Sequence, residues 1–119
     1  MSRVGGRNKN AALMQRYIVE RAQQYGISLR ETAGSGNVFA SDSDIQNRLL
    51  QIEAKQRTNK DGIFMPSKSD WKKLIGEARN TGRFPILCTS GSAKPSNETT
   101  LVTLKLDHLL YLMQGIDNE

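Results

Sequence analysis

Residues 41–57, SDSDIQNRLLQIEAKQR, hold an acidic cluster, a polar turn and then a Glu-Ala-Lys step inside an otherwise apolar run. Side chains alternate between faces along an extended strand. Glu53 and Lys55 therefore project from one face, with Leu49 and Gln51, while Leu50, Ile52 and Ala54 project from the other. The stretch predicts two strands, about 44–46 and 49–57, joined by a turn near Asn47. A turn that short makes the pair antiparallel and sets Asp44 near the level of Glu53. A carboxylate and an amine on one face of such a strand are either surface residues or a place where chemistry is done.

The flanks supply the rest of the fold. Ala11, Met14, Ile18 and Ala22 form one helical stripe over about 8–25, and Gly26 stands where a helix stops. ISLRE (27–31) alternates and reads as a strand, and TAGSGNVFASDS (32–43) reads as a loop. TNKDGIFMPSK (58–68) is a second loop. SKSDWKKLIGEARNTG (67–82) carries the clearest helix signals: Ser67 and Asp70 at capping-box spacing, then Trp71, Leu74, Ile75 and Ala78 on one stripe, then Gly82. FPILCT (84–89) and TLVTLKL (100–106) read as strands around the polar loop SGSAKPSNE, and DHLLYLMQG (107–115) as a short helix with Asp107 at its cap. The predicted order is α-β-β-β-α-β-β-α. That is an α/β or α+β domain with a central mixed β-sheet flanked by helices.

The 119 residues suit one domain, 1–119, with residues 1–8 as a basic, flexible arm. No apolar run is long enough to span a bilayer, and MSRVGGRNKN lacks the apolar core of a secretory signal, so a cytoplasmic location is expected. The net charge is +5 and unevenly spread: residues 1–31 carry six basic and two acidic side chains, whereas 84–119 carry two basic and four acidic. Basic surface gathered in segments suits a polyanion such as nucleic acid. The single cysteine, Cys88, rules out an internal disulfide or a Cys-based metal cage, and its apolar setting reads as core.

Asp44 and Glu53, close together at the head of a hairpin, suit a hard divalent cation. Mg²⁺ takes one or two carboxylates, keeps several waters and completes its shell with phosphate oxygens, and Mn²⁺ can replace it. A main-chain oxygen at Ala54 is a further candidate ligand. Lys55 adds a fixed positive charge that can stabilise a phosphodiester transition state or orient the attacking water. Asp42 competes with Asp44 for the first carboxylate; the apolar Ile45 that follows favours Asp44.

At these residues the chain resembles a family. Asp44-Ile45, followed by Ile52-Glu53-Ala54-Lys55, is similar to the core of the PD-(D/E)XK nuclease superfamily, and more narrowly to the archaeal and phage-type Holliday junction resolvases. The likeness takes in the first helix, the AGSGN loop and the Trp-bearing helix before FPILC. It implies a restriction-endonuclease-like fold, Mg²⁺-dependent cleavage of branched DNA, and a homodimer; such a protein of a virus would work in the host cytoplasm. It makes Asp44 and Glu53 metal-binding carboxylates and Lys55 the catalytic lysine. Two departures stand out: Ser43 precedes Asp44 in place of Pro, and Gln15 occupies the first-helix position where the family often has Glu.

Other residues fit a DNA path. Arg3, Arg7 and Lys9 form a basic stretch suited to phosphate contacts. Ser35, between Gly34 and Gly36, can approach a phosphate closely, and Arg57 and Lys60 flank the proposed centre. Trp71 reads as core, Gln56 as structural, and His108, the only histidine, as a surface or cap residue. Two alternatives stay open: a nucleic-acid-binding module without catalysis, and a nuclease acting on flaps, single strands or plain duplex.

Overall fold

The computed structural model describes residues 2–32 and 45–116, with the backbone alone for residues 2–11. The elements follow the expected order: α1 (Ser2–Gln24), β1 (Arg30–Glu31), β2 (Ile45–Gln46), β3 (Leu50–Gln56), α2 (Lys68–Ala78), β4 (Phe84–Ser90), β5 (Thr100–Thr103) and α3 (Leu106–Leu112). The strands form one sheet in the order β1-β2-β3-β4-β5. β3 and β4 run parallel and the other neighbours antiparallel, so the sheet is mixed. Among the described residues, no helix is long and apolar enough to cross a membrane.

Parallel neighbours need a crossover. Here α2 supplies it, entered through the capping box that the sequence announces. The Ser67 side chain accepts from the Asp70 backbone N–H at 3.1 Å, and the Asp70 carboxylate accepts from the Ser67 N–H at 3.2 Å.

The two faces of the sheet divide the helices. Ile52 and Ala54 pair with Ile86 and Cys88, and Ile45 with Ile52, so these side chains share one face. Met14 of α1 packs into that cluster, with Ile18, Val19, Ala22 and Leu50 around it. Each such apolar side chain contributes about 1.5–3 kcal/mol when fully buried. The opposite face carries Leu87, wholly buried, and α2 packs on β4 there with Leu74 and Ala78.

Asn47 holds the turn that sets the β2–β3 register. Its Oδ1 accepts from the N–H groups of Leu49 and Leu50 at 2.9 and 2.7 Å, and its amide donates to the Ser28 carbonyl at 3.2 Å. Its own carbonyl accepts from Arg83 Nε at 2.8 Å. One residue therefore ties together the approach to β1, the β2–β3 turn and the approach to β4, the first two through its side chain and the last through its carbonyl.

Four expectations shift. The strand expected over 100–106 ends at Thr103, because Lys105 already caps α3. α1 takes in residues 2–7, which the sequence pattern assigns to an arm ahead of the helix. The strand expected over 27–31 narrows to Arg30–Glu31, the only residues there that pair with β2. Asp107 does not cap α3: Lys105 is the N-cap, no side chain bonds there, and Asp107 lies inside the first turn, where a negative charge still suits the helix dipole.

Asn47→Ala removes three hydrogen bonds from the turn. It should lower the stability of the fold by about 1–3 kcal/mol, read as a lower urea midpoint with an unchanged slope.

Candidate active site

β3 is apolar on one face and polar on the other, yet both faces are largely covered. On the polar face Gln51 is fully buried, Glu53 and Lys55 are half-buried, and the neighbouring strands add Gln46 and Thr89, both buried. The Oε1 of Gln46 is buried with no hydrogen-bond partner among the described residues. An unmatched buried acceptor costs about 1–3 kcal/mol.

The structure brings Glu53 and Lys55 to one face as the alternation requires. It also shows what holds the lysine. Lys55 Nζ lies 3.6 Å from Oδ1 of Asp70, with the two side chains 32% and 24% exposed. The other carboxylate oxygen of Asp70 accepts from the Ser67 N–H. One carboxylate thus joins the first turn of α2 to the outer half of β3. A partly exposed ion pair contributes about 1 kcal/mol or less to stability, so the consequence of this contact is chiefly positional. It fixes the direction in which the ammonium points.

The charge state of Asp70 follows from the same contacts. Partial burial pushes its carboxyl up, but the hydrogen bonds with the Ser67 backbone and hydroxyl and the nearby Lys55 ammonium outweigh that. Together they hold it below the ordinary carboxylate range. At Cys88 burial is unopposed, and the thiol is pushed up to about 12. Cys88 is a core side chain, as its setting predicts, and carries no thiolate chemistry.

The β3–α2 loop begins just past Lys55. Arg57 donates its backbone N–H to Ser90 at 3.1 Å, and its guanidinium lies over the Phe64 ring, 5.4 Å from the centroid. Lys60 is exposed further along the loop. Gly91 ties the loop down: it donates to the Gly62 carbonyl at 3.0 Å, accepts from Asn59 at 2.8 Å, and a Cβ on it would overlap the Gly62 backbone. Arg57 and Lys60 therefore stand at the Lys55 end of the strand.

The remaining candidates fall elsewhere. Gln15 is half-buried on α1, whose neighbouring Met14 packs into the Ile52 cluster. Ala54 lies opposite Cys88 in the ladder between the two charged residues. Arg3, Arg7 and Lys9 fall within α1. Asp44, Asp42 and Ser35 lie outside the described residues. Among the described residues, no three His, Cys, Asp or Glu side chains cluster to hold a metal. His108 is neither a cap nor a free surface group; it stacks on Phe84 with ring centroids 4.1 Å apart and planes 6° from parallel.

Sequence reasoning reads Asp70 only as a capping residue and does not find Gln46 and Gln51 as buried polar groups. The one available signal is that Gln51 shares a strand face with Glu53 and that the turn at Asn47 sets Gln46 opposite Gln51.

No family model matches the chain, and no curated protein matches it. Among solved structures it is similar to Hjc, a Holliday junction resolvase from the archaeal hyperthermophile Archaeoglobus fulgidus. The TM-score is 0.55 and the identity 21%, over 76% of this chain and 72% of that one. The likeness shows the fold: a mixed five-strand sheet flanked by helices, arranged as in that resolvase.

Because the Asp70 carboxyl is depressed in the folded state, it contributes stability above the unfolded carboxyl value of about 3.9. That contribution is lost as pH falls through the lower, folded value. Asp70→Asn removes it. The difference in urea midpoint between wild type and variant should be largest near neutral pH and should close as the solution is acidified below about pH 4.

Proposed function

We propose that the protein is a metal-dependent DNA endonuclease acting on branched DNA, with Glu53 and Lys55 at its centre. The observation that carries the reading is the polar face of β3: a carboxylate and an amine side by side, the amine oriented by Asp70, on a fold shared with a junction resolvase.

The donor chemistry fits a hard cation in part. Glu53 supplies a carboxylate, and the adjacent main chain supplies carbonyl oxygen, the ligand types that Mg²⁺ and Mn²⁺ accept alongside water. Asp44 is proposed as the second carboxylate. Support comes from its place in the sequence, directly before Ile45, which pairs with Ile52, the residue before Glu53. When bound, the ion would polarise a phosphodiester and make hydroxide available at neutral pH.

The chain's own residues do the rest. Glu53 directs its carboxylate to the polar face of the sheet, where the reacting phosphate would lie. Lys55 places positive charge beside that phosphate, where negative charge builds as the P–O bond breaks. Asp70 holds Lys55 toward the first turn of α2 until substrate arrives, and phosphate would then compete for the ammonium. Arg57 and Lys60 would carry the backbone away from the centre, and Arg3, Arg7 and Lys9 are proposed as further phosphate contacts. Phosphate contacts position a nucleic acid without reading its bases, so recognition by shape is expected over recognition by sequence. A homodimer is proposed with it, supported by the apolar surface of α3, where Leu106, Leu109, Leu110 and Tyr111 are all exposed.

The test is a labelled four-way junction and a linear duplex incubated with protein and Mg²⁺. Wild type should cut the junction in preference to the duplex. Glu53→Gln should bind the junction and leave it intact, and Lys55→Ala should slow cleavage about 10²–10³-fold. Binding without cleavage by wild type, under Mg²⁺ and Mn²⁺ alike, overturns the enzyme in favour of a binding module.

A further inference from the structure

A second basic site lies at the other end of α2. A cavity of about 350 Å³ opens between the C-terminal turn of α2, the start of β4 and the start of α3, with Arg79, Arg83, Lys105 and His108 in its wall and Ile75 and Pro85 in its apolar part. Asp70 and Arg79 are nine residues apart, about 13 Å along a helix at 1.5 Å per residue. The cavity therefore does not belong to the Glu53–Lys55 centre.

Three features of its wall suit an anion. Among the described residues, none of its three cations is ion-paired, since the one salt bridge there joins Lys55 to Asp70. Arg83 is anchored through Nε to the Asn47 carbonyl at 2.8 Å, which holds its guanidinium in place and leaves the terminal nitrogens for another acceptor. His108 is fixed by its stack on Phe84, which Tyr111 braces edge-on at 5.3 Å, and its Nδ1 is buried with no partner among the described residues. Like charges gathered around a hollow repel one another and cost stability unless an anion offsets them.

We propose that this cavity binds a backbone phosphate of a nucleic acid, remote from the bond that is cut. The idea rests on the nucleic-acid reading above and adds a second anchoring point to it. Arginine forks and lysines match phosphate oxygens, the chain's net charge of +5 draws a polyanion to its surface, and the apolar wall at Ile75 and Pro85 can accept the adjoining sugar. Two anchors at opposite ends of one helix would fix the direction in which a strand crosses the protein.

His108 is the only histidine, so its ring C–H signals report on the cavity without ambiguity. NMR titrations would use Glu53→Gln protein, which keeps the DNA uncut, with a short duplex in one arm and inorganic phosphate in the other. The duplex should move the His108 signals saturably, with or without an effect of inorganic phosphate. In the same background, Arg79→Gln with Lys105→Gln should abolish that shift and reduce the log–log salt slope of duplex binding by about 1–2. Both side chains are exposed, so the double variant leaves the core intact. Ring signals that ignore a bound duplex overturn the proposal, as does a shift that survives in the double variant. A response to inorganic phosphate without one to duplex assigns the cavity to a small phosphate species and overturns the nucleic-acid assignment. Cleavage by wild type bears on the Glu53 centre alone, so the two readings fail separately.

Discussion

The parallel ladder between β3 and β4 is the constraint on which the rest of the molecule depends. It runs through seven residue pairs, from Leu50 with Phe84 to Gln56 with Ser90. Parallel pairing forces a crossover, and the crossover must cover the sheet. α2 therefore lies on the face opposite α1, and its capped first turn reaches the level of Lys55. The same ladder that buries Ile52 against α1 thus delivers Asp70 to the lysine. A one-residue slip would exchange the faces, turning Glu53 and Lys55 into the apolar core and Ile52 out of it. Asn47 guards against that slip by fixing the turn from which β3 starts.

The two faces of β3 have opposite energetic characters. The even-numbered residues join an apolar cluster with Met14, Ile45, Ile86 and Cys88, which stabilises the domain. The odd-numbered residues place amide, carboxylate and ammonium groups under partial or full cover, where each loses hydration. A fold seeking stability alone would set Val or Leu at Gln51. Retaining polar side chains there, beside a lysine already oriented by a carboxylate, makes sense where the face has a ligand to bind. The basic cavity at the far end of α2 repeats the pattern, with charge concentrated where it raises the cost of the empty protein.

Much of this was legible in the sequence because it rests on local rules. The two-residue period of QIEAK placed Glu53 and Lys55 together, Ser67 and Asp70 announced the start of α2, and the stripe of Met14, Ile18 and Ala22 placed α1 on the sheet. What escaped reading depends on contacts between distant residues. Asp70 serves the cap with one oxygen and Lys55 with the other, and only the first is visible as a spacing. Arg79, Arg83, Lys105 and His108 converge because three elements end at one place. The cap of α3 was misplaced because Asp107 has the right residue type, while the backbone turn that starts the helix falls at Lys105.

The central claim is that the polar face of β3 is where a divalent ion and a phosphodiester meet. Mn²⁺ tests it directly, because the paramagnetic ion broadens the NMR signals of nuclei close to it. Substoichiometric Mn²⁺ should broaden the backbone amides of Glu53, Ala54 and Lys55 first, with Mg²⁺ restoring them and Glu53→Gln abolishing the effect. Mn²⁺ that leaves those amides sharp, or broadens them equally in Glu53→Gln, would contradict the account.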